Sequence, residues 1–424
     1  MSFLLRTSSG RFNLENAITL EELEEFYNND KLDEHLYDID YVLNNFNEVI
    51  LKPSAIKYYS NGGIIDNKRF STNNINENDE FVRVYSEGRF LGVGRLLKDN
   101  KTIILVGKII MDIIKSIWDV DDVEDSVVTI GKFDGLHKGH RVLIKKAVES
   151  SKKRRIKSIV FTFENHPANY FKSYSVKNII TDNDKMKKLN CLGIDMVVNV
   201  PFNEDMTKIS ADDFARIILK ERLGAKKVIV GHDFTFAKNK EGNAKLLKIL
   251  GVKYNFKVEI VKPVKINDIR VSSTYIRKLI AQGCVNKVKE YLGRNYQLEG
   301  KVIKCKQLGR TIGFPTANMA IDEEMLVPKC GIYATKVYLD GEIYFGATNV
   351  GYNPTVEGKS LSVETNILDF NEDIYGKIIK LEFLERIRDE KKFNGIEELK
   401  SQLQKDTNYV CKKYICKREK VMIQ

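Results

Sequence analysis

The sequence predicts a multidomain chain of class α/β plus β, preceded by a smaller α+β segment. Three observations carry this. Strand-like and helix-like segments alternate over residues 126–292, which signals βαβ units around a parallel sheet. From Tyr296 onward, strands are separated by Gly and Pro turns, which fits a small β-barrel. Near residue 120 the composition shifts. Residues 1–125 hold 14 Lys+Arg against 23 Asp+Glu, and the remainder holds 55 against 35, in a chain of 424 residues with net charge +11. The expected domains are 1–118, 126–292 and 296–424.

In the first segment, 20–26 reads as a helix, and 81–85 with 90–94 as a hairpin about Glu87-Gly88. The acidic run from Asp119 to Asp125 marks the boundary. Strands are then expected at 127–130, 158–163, 196–200 and 227–230. Helices are expected at 140–151, 184–192, 211–223, 274–282 and 286–292. The barrel strands are expected at 297–303, 332–338, 343–349 and 378–383, closed by a helix over 394–413. Ligands of a parallel sheet bind in the loops beyond the carboxyl ends of its strands, so the chemistry is expected there.

Hydrophobic residues make up 43% of the chain and charged residues 30%, as in ordinary soluble proteins. The basic excess of the last two-thirds suits anionic ligands such as polyphosphate or nucleic acid. Six cysteines include no C-x-x-C pair, which argues against a zinc or redox motif and for reduced thiols. The most apolar stretch, 102–118, is broken by Lys108, Asp112 and Lys115 and is unsuited to crossing a bilayer. No signal-peptide pattern opens the chain, so a cytoplasmic location without membrane attachment is expected.

The loop after the first βαβ strand reads Gly131-Lys-Phe133-Asp134-Gly135-Leu-His137-Lys-Gly139-His140. Its glycines permit a tight turn and close backbone approach. His137 and His140 lie three apart at an incoming helix end, where free amides and the helix dipole favour an anion. Paired imidazoles there can stabilise charge on a transferring phosphorus and on departing pyrophosphate. Ser272-Ser273-Thr274-Tyr-Ile-Arg277 offers hydroxyls and a guanidinium at another helix start, a second phosphate clamp.

H-x-G-H and S-S-T-x-I-R in this order resemble the nucleotidyltransferases that release pyrophosphate, and so imply a Rossmann-like domain. Asn165-His166-Pro167 and Asp233-Phe234 resemble the loops that line the ATP and flavin pocket of bacterial FMN adenylyltransferases. Two positions depart from the usual pattern. Lys132 stands where Asn is common, and Ala237 where Gly usually follows Asp-Phe-x-Phe.

Residues 300–318 contain no Walker motif. Gly309 and Gly313 suit a loop that wraps phosphates. Thr316 and Asn318, two apart in an extended segment, present hard oxygens for Mg²⁺ on one face. The string G-R-x-x-G-F-P-T-A-N is similar to riboflavin kinase, which implies ATP and magnesium at Thr316 and Asn318 and a catalytic carboxylate at Glu364. Arg386 and Arg388 are candidate flavin or nucleotide supports. Together these motifs identify the region 126–415 as resembling the prokaryotic bifunctional riboflavin kinase/FMN adenylyltransferase, with riboflavin, FMN and ATP as substrates.

Residues 5–20 and the hairpin resemble the C-terminal, PUA-like part of the bacterial tRNA pseudouridine synthase, without its catalytic part. The alternative reading is therefore tRNA binding without pseudouridylation. The net negative charge of the segment opposes strong RNA contact. Lys68, Arg69, Arg83, Arg89 and Arg95 are the candidate RNA patch.

Overall fold

The structure, a computed structural model, describes residues 8–9, 12–13, 43, 45–56, 65–66, 68–71, 81–96, 102–108, 111–120, 123–171, 176–304, 309, 312–355 and 358–416. The chain divides into two compact units, Met1–Met111 and Asp112–Gln424.

The first unit holds a six-stranded sheet in the spatial order Ile65–Asp66, Thr102–Lys108, Arg89–Leu96, Phe81–Ser86, Asn47–Leu51, Phe70–Ser71. The hairpin is present, and Glu87 and Gly88 both take positive φ (50° and 72°), as a tight twisted turn requires. Val82 and Val84 alternate inward with Val49 and Leu51 to form the core. The helix expected at 20–26 lies outside the described residues.

The second unit begins with a strand, β1 (Asp112–Ile114), that the composition shift had grouped with the first segment. It is the edge of a six-stranded, all-parallel sheet with β2 (Ser126–Ile130), β3 (Lys157–Phe163), β4 (Met196–Val200), β5 (Ala225–Gly231) and β6 (Lys257–Val261). The order is β6-β5-β2-β3-β4-β1. Every residue of β2 and β4 is buried, which is why both are mostly apolar without alternation, Ser126, Thr129 and Asn199 being their buried polar residues. Helices α1 (Lys138–Arg154), α2 (Asp182–Cys191) and α3 (Ala244–Lys253) belong to the same α/β region. The helix expected at 211–223 begins as α-helix at Ala211–Asp213 and continues as a π-helix over Phe214–Arg222.

Two further helices, α4 (Ser273–Ala281) and α5 (Val285–Leu292), lead into the barrel. Their Ile276, Ile280, Val288 and Leu292 share one core cluster with Tyr296, Leu298, Tyr333 and Phe383 of the barrel. That shared core fixes the N-terminus of α4 relative to the barrel. The barrel is closed and antiparallel: β7 (Tyr296–Ile303), β8 (Ala317–Met319), β9 (Gly331–Leu339), β10 (Glu342–Thr355), β11 (Gly358–Ile367) and β12 (Ile378–Arg388), in the order β7-β8-β11-β10-β9-β12. The closing helix α6 spans Ile396–Val410, and its Val410 packs with Ala334, Phe345 and Ala347 on the outside of the barrel. The described cysteines form no disulfide, and no described helix is long and apolar enough to cross a membrane.

Candidate active sites

The carboxyl ends of β2, β3 and β5 open into a cleft of about 1260 Å³. After β2 the chain turns sharply, with non-glycine residues Phe133 and Leu136 at φ 51° and 46°. Such conformations cost energy and persist where surrounding packing enforces them; here both side chains are fully buried. Gly135, at φ +79°, is tightly packed and favours glycine, since a Cβ would lie 3.1 Å from Ile179 and 3.2 Å from Leu292 in a left-handed conformation. Gly135 is thus behind the loop, and its carbonyl accepts from Arg294 Nη1 at 2.8 Å. Gly131 and Gly139 line the cleft beside Phe133.

His137 caps α1: its Nδ1 accepts from the His140 backbone N–H at 3.2 Å. Its remaining proton therefore sits on Nε2. The two imidazoles stack with centroids 3.6 Å apart, and Phe133 meets His140 edge-on at 5.2 Å. Burial pushes His137 down to about 4 and His140 well below the usual histidine range. Both rings are neutral at pH 7. His140 Nδ1 is buried with no hydrogen-bond partner, a cost expected at a site awaiting a ligand.

The second motif faces them. Ser272 caps α4 by accepting from Tyr275 N–H at 3.2 Å, and Ser273 Oγ donates to the Asp134 carbonyl at 2.9 Å. Thr274 is exposed on the lining. Arg277 pairs with the Asp134 carboxylate and donates from Nε to the Lys177 carbonyl at 2.9 Å. Asp134 also accepts from Ile179 N–H at 2.9 Å. Burial pushes the Asp134 carboxyl up, against the pull of Arg277. Asp134, expected among the phosphate contacts, lines the cleft and pairs with Arg277.

The flavin-loop residues divide as well. His166 lines the cleft and caps a short helix, Pro167–Tyr170, by accepting from Ala168 N–H at 3.1 Å. Asn165 spends both amide atoms on the Phe202 backbone, at 2.7 and 3.2 Å, and clamps two loops together instead of facing the cleft. Asp233 pairs with Arg270; burial raises its carboxyl, yet Arg270 holds it below the usual range. Phe234 stacks on Phe236 at 5.4 Å, and Phe163, Phe171 and Phe202 supply further aromatic wall. Lys132, Lys240 and Arg270 also line the cleft, though no sequence motif marks the last two.

The barrel carries the second arrangement. Asn318 of β8, Glu364 of β11 and Asn349 of β10 stand directly opposite one another across three adjacent strands. Opposed residues on neighbouring strands project to the same face. Their chain neighbours Ala317, Met319, Val350 and Val363 fill the barrel core, so this row lies on the outer face. Asn318 is nevertheless buried, and its Oδ1 has no partner. The Gly309–Phe314 turn lies close by. Phe314 N–H donates to the Gly309 carbonyl at 2.8 Å, and Asn366 Nδ2 donates to the Pro315 carbonyl at 2.7 Å. A Cβ on Gly309 would collide with the Phe314 oxygen at 2.3 Å and would meet Thr316 Oγ1 at 3.4 Å. Gly313 takes φ +84°.

Arg386 and Arg388 both make ion pairs in the fold, and Arg386 Nε is buried without a partner. Arg388 makes a bidentate pair with the buried Asp406 of α6 (2.7–3.1 Å), which fastens the closing helix to the barrel. Arg386 bonds the Cys330 carbonyl and Asp389. Among the described residues no cluster of three or more His, Cys, Asp or Glu could hold a metal ion. The Thr316 and Asn318 oxygens are of another type, suited to a hard cation.

Comparison with known proteins agrees with this division. The sequence pattern of the FAD synthetase family matches residues 119–275, and that of riboflavin kinase matches 292–414. The bifunctional riboflavin kinase/FMN adenylyltransferase of Buchnera aphidicola subsp. Acyrthosiphon pisum is 34% identical over 301 residues, covering 70% of this chain and 96% of that protein. The protein of the same name from Bacillus subtilis is 36% identical over 286 residues, covering 66% and 90%. A crystal structure described as a macrolide-efflux protein from Streptococcus pneumoniae is similar with TM-score 0.66 and 32% identity, over 71% of this chain and 98% of that one. Both family matches lie within 119–414, so the pseudouridine-synthase resemblance of residues 5–20 gains no support from them.

Proposed function

Since this chain belongs to the bifunctional riboflavin kinase/FMN adenylyltransferase family, we propose that its sheet-edge cleft transfers the adenylyl group and its barrel face transfers the γ-phosphoryl group. Riboflavin is phosphorylated to FMN, and FMN is adenylylated to FAD, with ATP as the donor in both steps. The observation that carries the assignment is the convergence of two neutral, stacked imidazoles with Arg277 in one cleft.

In the cleft, a phosphate oxygen of FMN attacks the α-phosphorus of ATP and pyrophosphate leaves. His137 and His140 meet the growing negative charge with imidazole N–H groups already desolvated, where such donors act most strongly. Arg277 has Nε and Nη2 spent on Lys177 and Asp134, which leaves Nη1 for a phosphate. The Ser272 hydroxyl caps the helix, and the Ser273 hydroxyl holds its terminus in register with the Asp134 loop. The aromatic wall suits a flat isoalloxazine.

On the barrel face, the terminal hydroxyl of the ribityl chain attacks the γ-phosphorus, the bond to the β,γ-bridging oxygen breaks and ADP leaves. Glu364 accepts its proton, a role worth about 10²–10⁴ in rate. The buried Asn318 oxygen, which has no protein partner, fits a hard cation; Thr316 and Asn318 would hold Mg²⁺, which would neutralise phosphate charge there. Residues 1–118 are read as a segment resembling the C-terminal, PUA-like part of the tRNA pseudouridine synthase, without pseudouridylation.

ATP labelled at either phosphorus tests the assignment. Label from the γ-position must enter FMN, and label from the α-position must enter only FAD. α-Label in FMN contradicts the division of labour.

A further inference from the structure

Lys132 leaves the carboxyl end of β2 with its carbonyl held by Thr162 Oγ1 at 3.1 Å. Its Nζ rests against both ring nitrogens of His166, 3.0 Å from Nδ1. His166 already accepts from Ala168 N–H through Nδ1, so its own proton sits on Nε2 and points toward the lysine. A protonated lysine is poorly matched to that ring. The other charged groups near Lys132 are Asp134 from its own loop, Arg277 from α4, and Lys240 from the Lys238–Lys240 turn. Asp134 is the acid of the group, and its carboxylate is taken by Arg277 and Ile179 N–H. Among the described residues no carboxylate stands within ion-pair distance of Lys132. A half-buried cation among two others, resting on an imidazole, is short of a counter-charge.

We propose that Lys132 is a polyphosphate-binding residue of the adenylyl-transfer cleft, parked on His166 until ATP arrives and then turned onto its phosphates. This rests on assigning that cleft to adenylyl transfer. The lysine lies in the same lining as His137, His140 and Arg277, and its flexible stem allows the turn. Burial and the neighbouring Arg277 push its ammonium down to about 8, so the free site gives up this proton in mild alkali and ATP restores it.

The test compares the native chain with Lys132→Met and Lys132→Arg, and measures KM for ATP in FMN adenylylation and in riboflavin phosphorylation. Loss of one charge-assisted phosphate contact raises the adenylylation KM about 10- to 100-fold in Lys132→Met. The kinase KM stays unchanged and reports that the chain is folded. In the native chain kcat/KM for ATP declines above about pH 8, since this ratio reports the free enzyme. That limb disappears in Lys132→Met and moves to higher pH in Lys132→Arg, which keeps near-native affinity. An adenylylation KM within about two-fold of native, with the alkaline limb intact, overturns the proposal. If Lys132→Met loses the kinase too, the Lys132→Arg pH profile decides alone. A native chain that forms FMN but no FAD removes the cleft assignment itself, and the proposal with it.

Discussion

Ala237 sits on the cleft lining at φ +65°, ψ −177°, a region open essentially to glycine alone. Two backbone bonds hold it there: Lys238 N–H to the Ile209 carbonyl at 2.9 Å, and Lys240 N–H to the Ala237 carbonyl at 3.1 Å. The Cβ strain at such a residue is about 1–3 kcal/mol. Ala237→Gly removes it, while glycine's freer unfolded chain returns roughly 0.5–1 kcal/mol. The net is a stabilisation of about 1 kcal/mol. In a domain of this class that raises the melting temperature by about 2–4 °C. Ala237→Val adds a branched Cβ at the same backbone angles and moves the midpoint the other way. Thermal melts followed by circular dichroism measure both. A lower midpoint for Ala237→Gly, or none of the opposite shift for Ala237→Val, refutes the strain argument.

Other outcomes follow from the same geometry. His137 is neutral in the fold with its pKa lowered to about 4, below the unfolded value of about 6.5. The unfolded chain therefore binds the extra proton between those values. Its contribution, about 3 kcal/mol, is complete above pH 6.5 and is lost as pH falls toward 4; His137→Gln flattens the urea-midpoint profile in that window. Asn318→Ala raises the Mg²⁺ concentration that half-saturates riboflavin phosphorylation about tenfold or more and leaves the FMN adenylylation titration in place. Arg388→Met strands the buried Asp406 and costs about 3–5 kcal/mol of barrel stability in chemical denaturation. Filter binding with tRNA over a salt series finds no salt-dependent retention by the acidic N-terminal unit.

The sequence made the α/β alternation plain because β2 and β4 are buried on both faces and are mostly apolar, between helices with clear caps. It did not separate Asp112–Ile114 from the first segment. Three residues carry too little pattern, and the strand exists through its nonlocal pairing with Met196–Val198. The helix Ala244–Lys253 is not among the expected elements, although Asn243 caps it by accepting from Lys245 and Leu246 N–H. Site residues in motifs were legible as a set, but their division of roles was not. The pairing of Asp134 with Arg277 carries no sequence signal, and neither does the use of both Asn165 amide atoms on the Phe202 backbone. Asn349 joins Asn318 and Glu364 through strand register alone, which a one-residue slip would reverse and which no single strand encodes.

The central claim is two independent ATP sites on one chain, and mixing two damaged chains tests it most directly. Glu364→Gln alone converts FMN to FAD but forms no FMN from riboflavin. His140→Ala alone stops at FMN. Supplied together with riboflavin, ATP and Mg²⁺, they make FAD, because FMN released by one chain is adenylylated by the other. A mixture that forms no FAD from riboflavin, with both proteins folded, contradicts the claim.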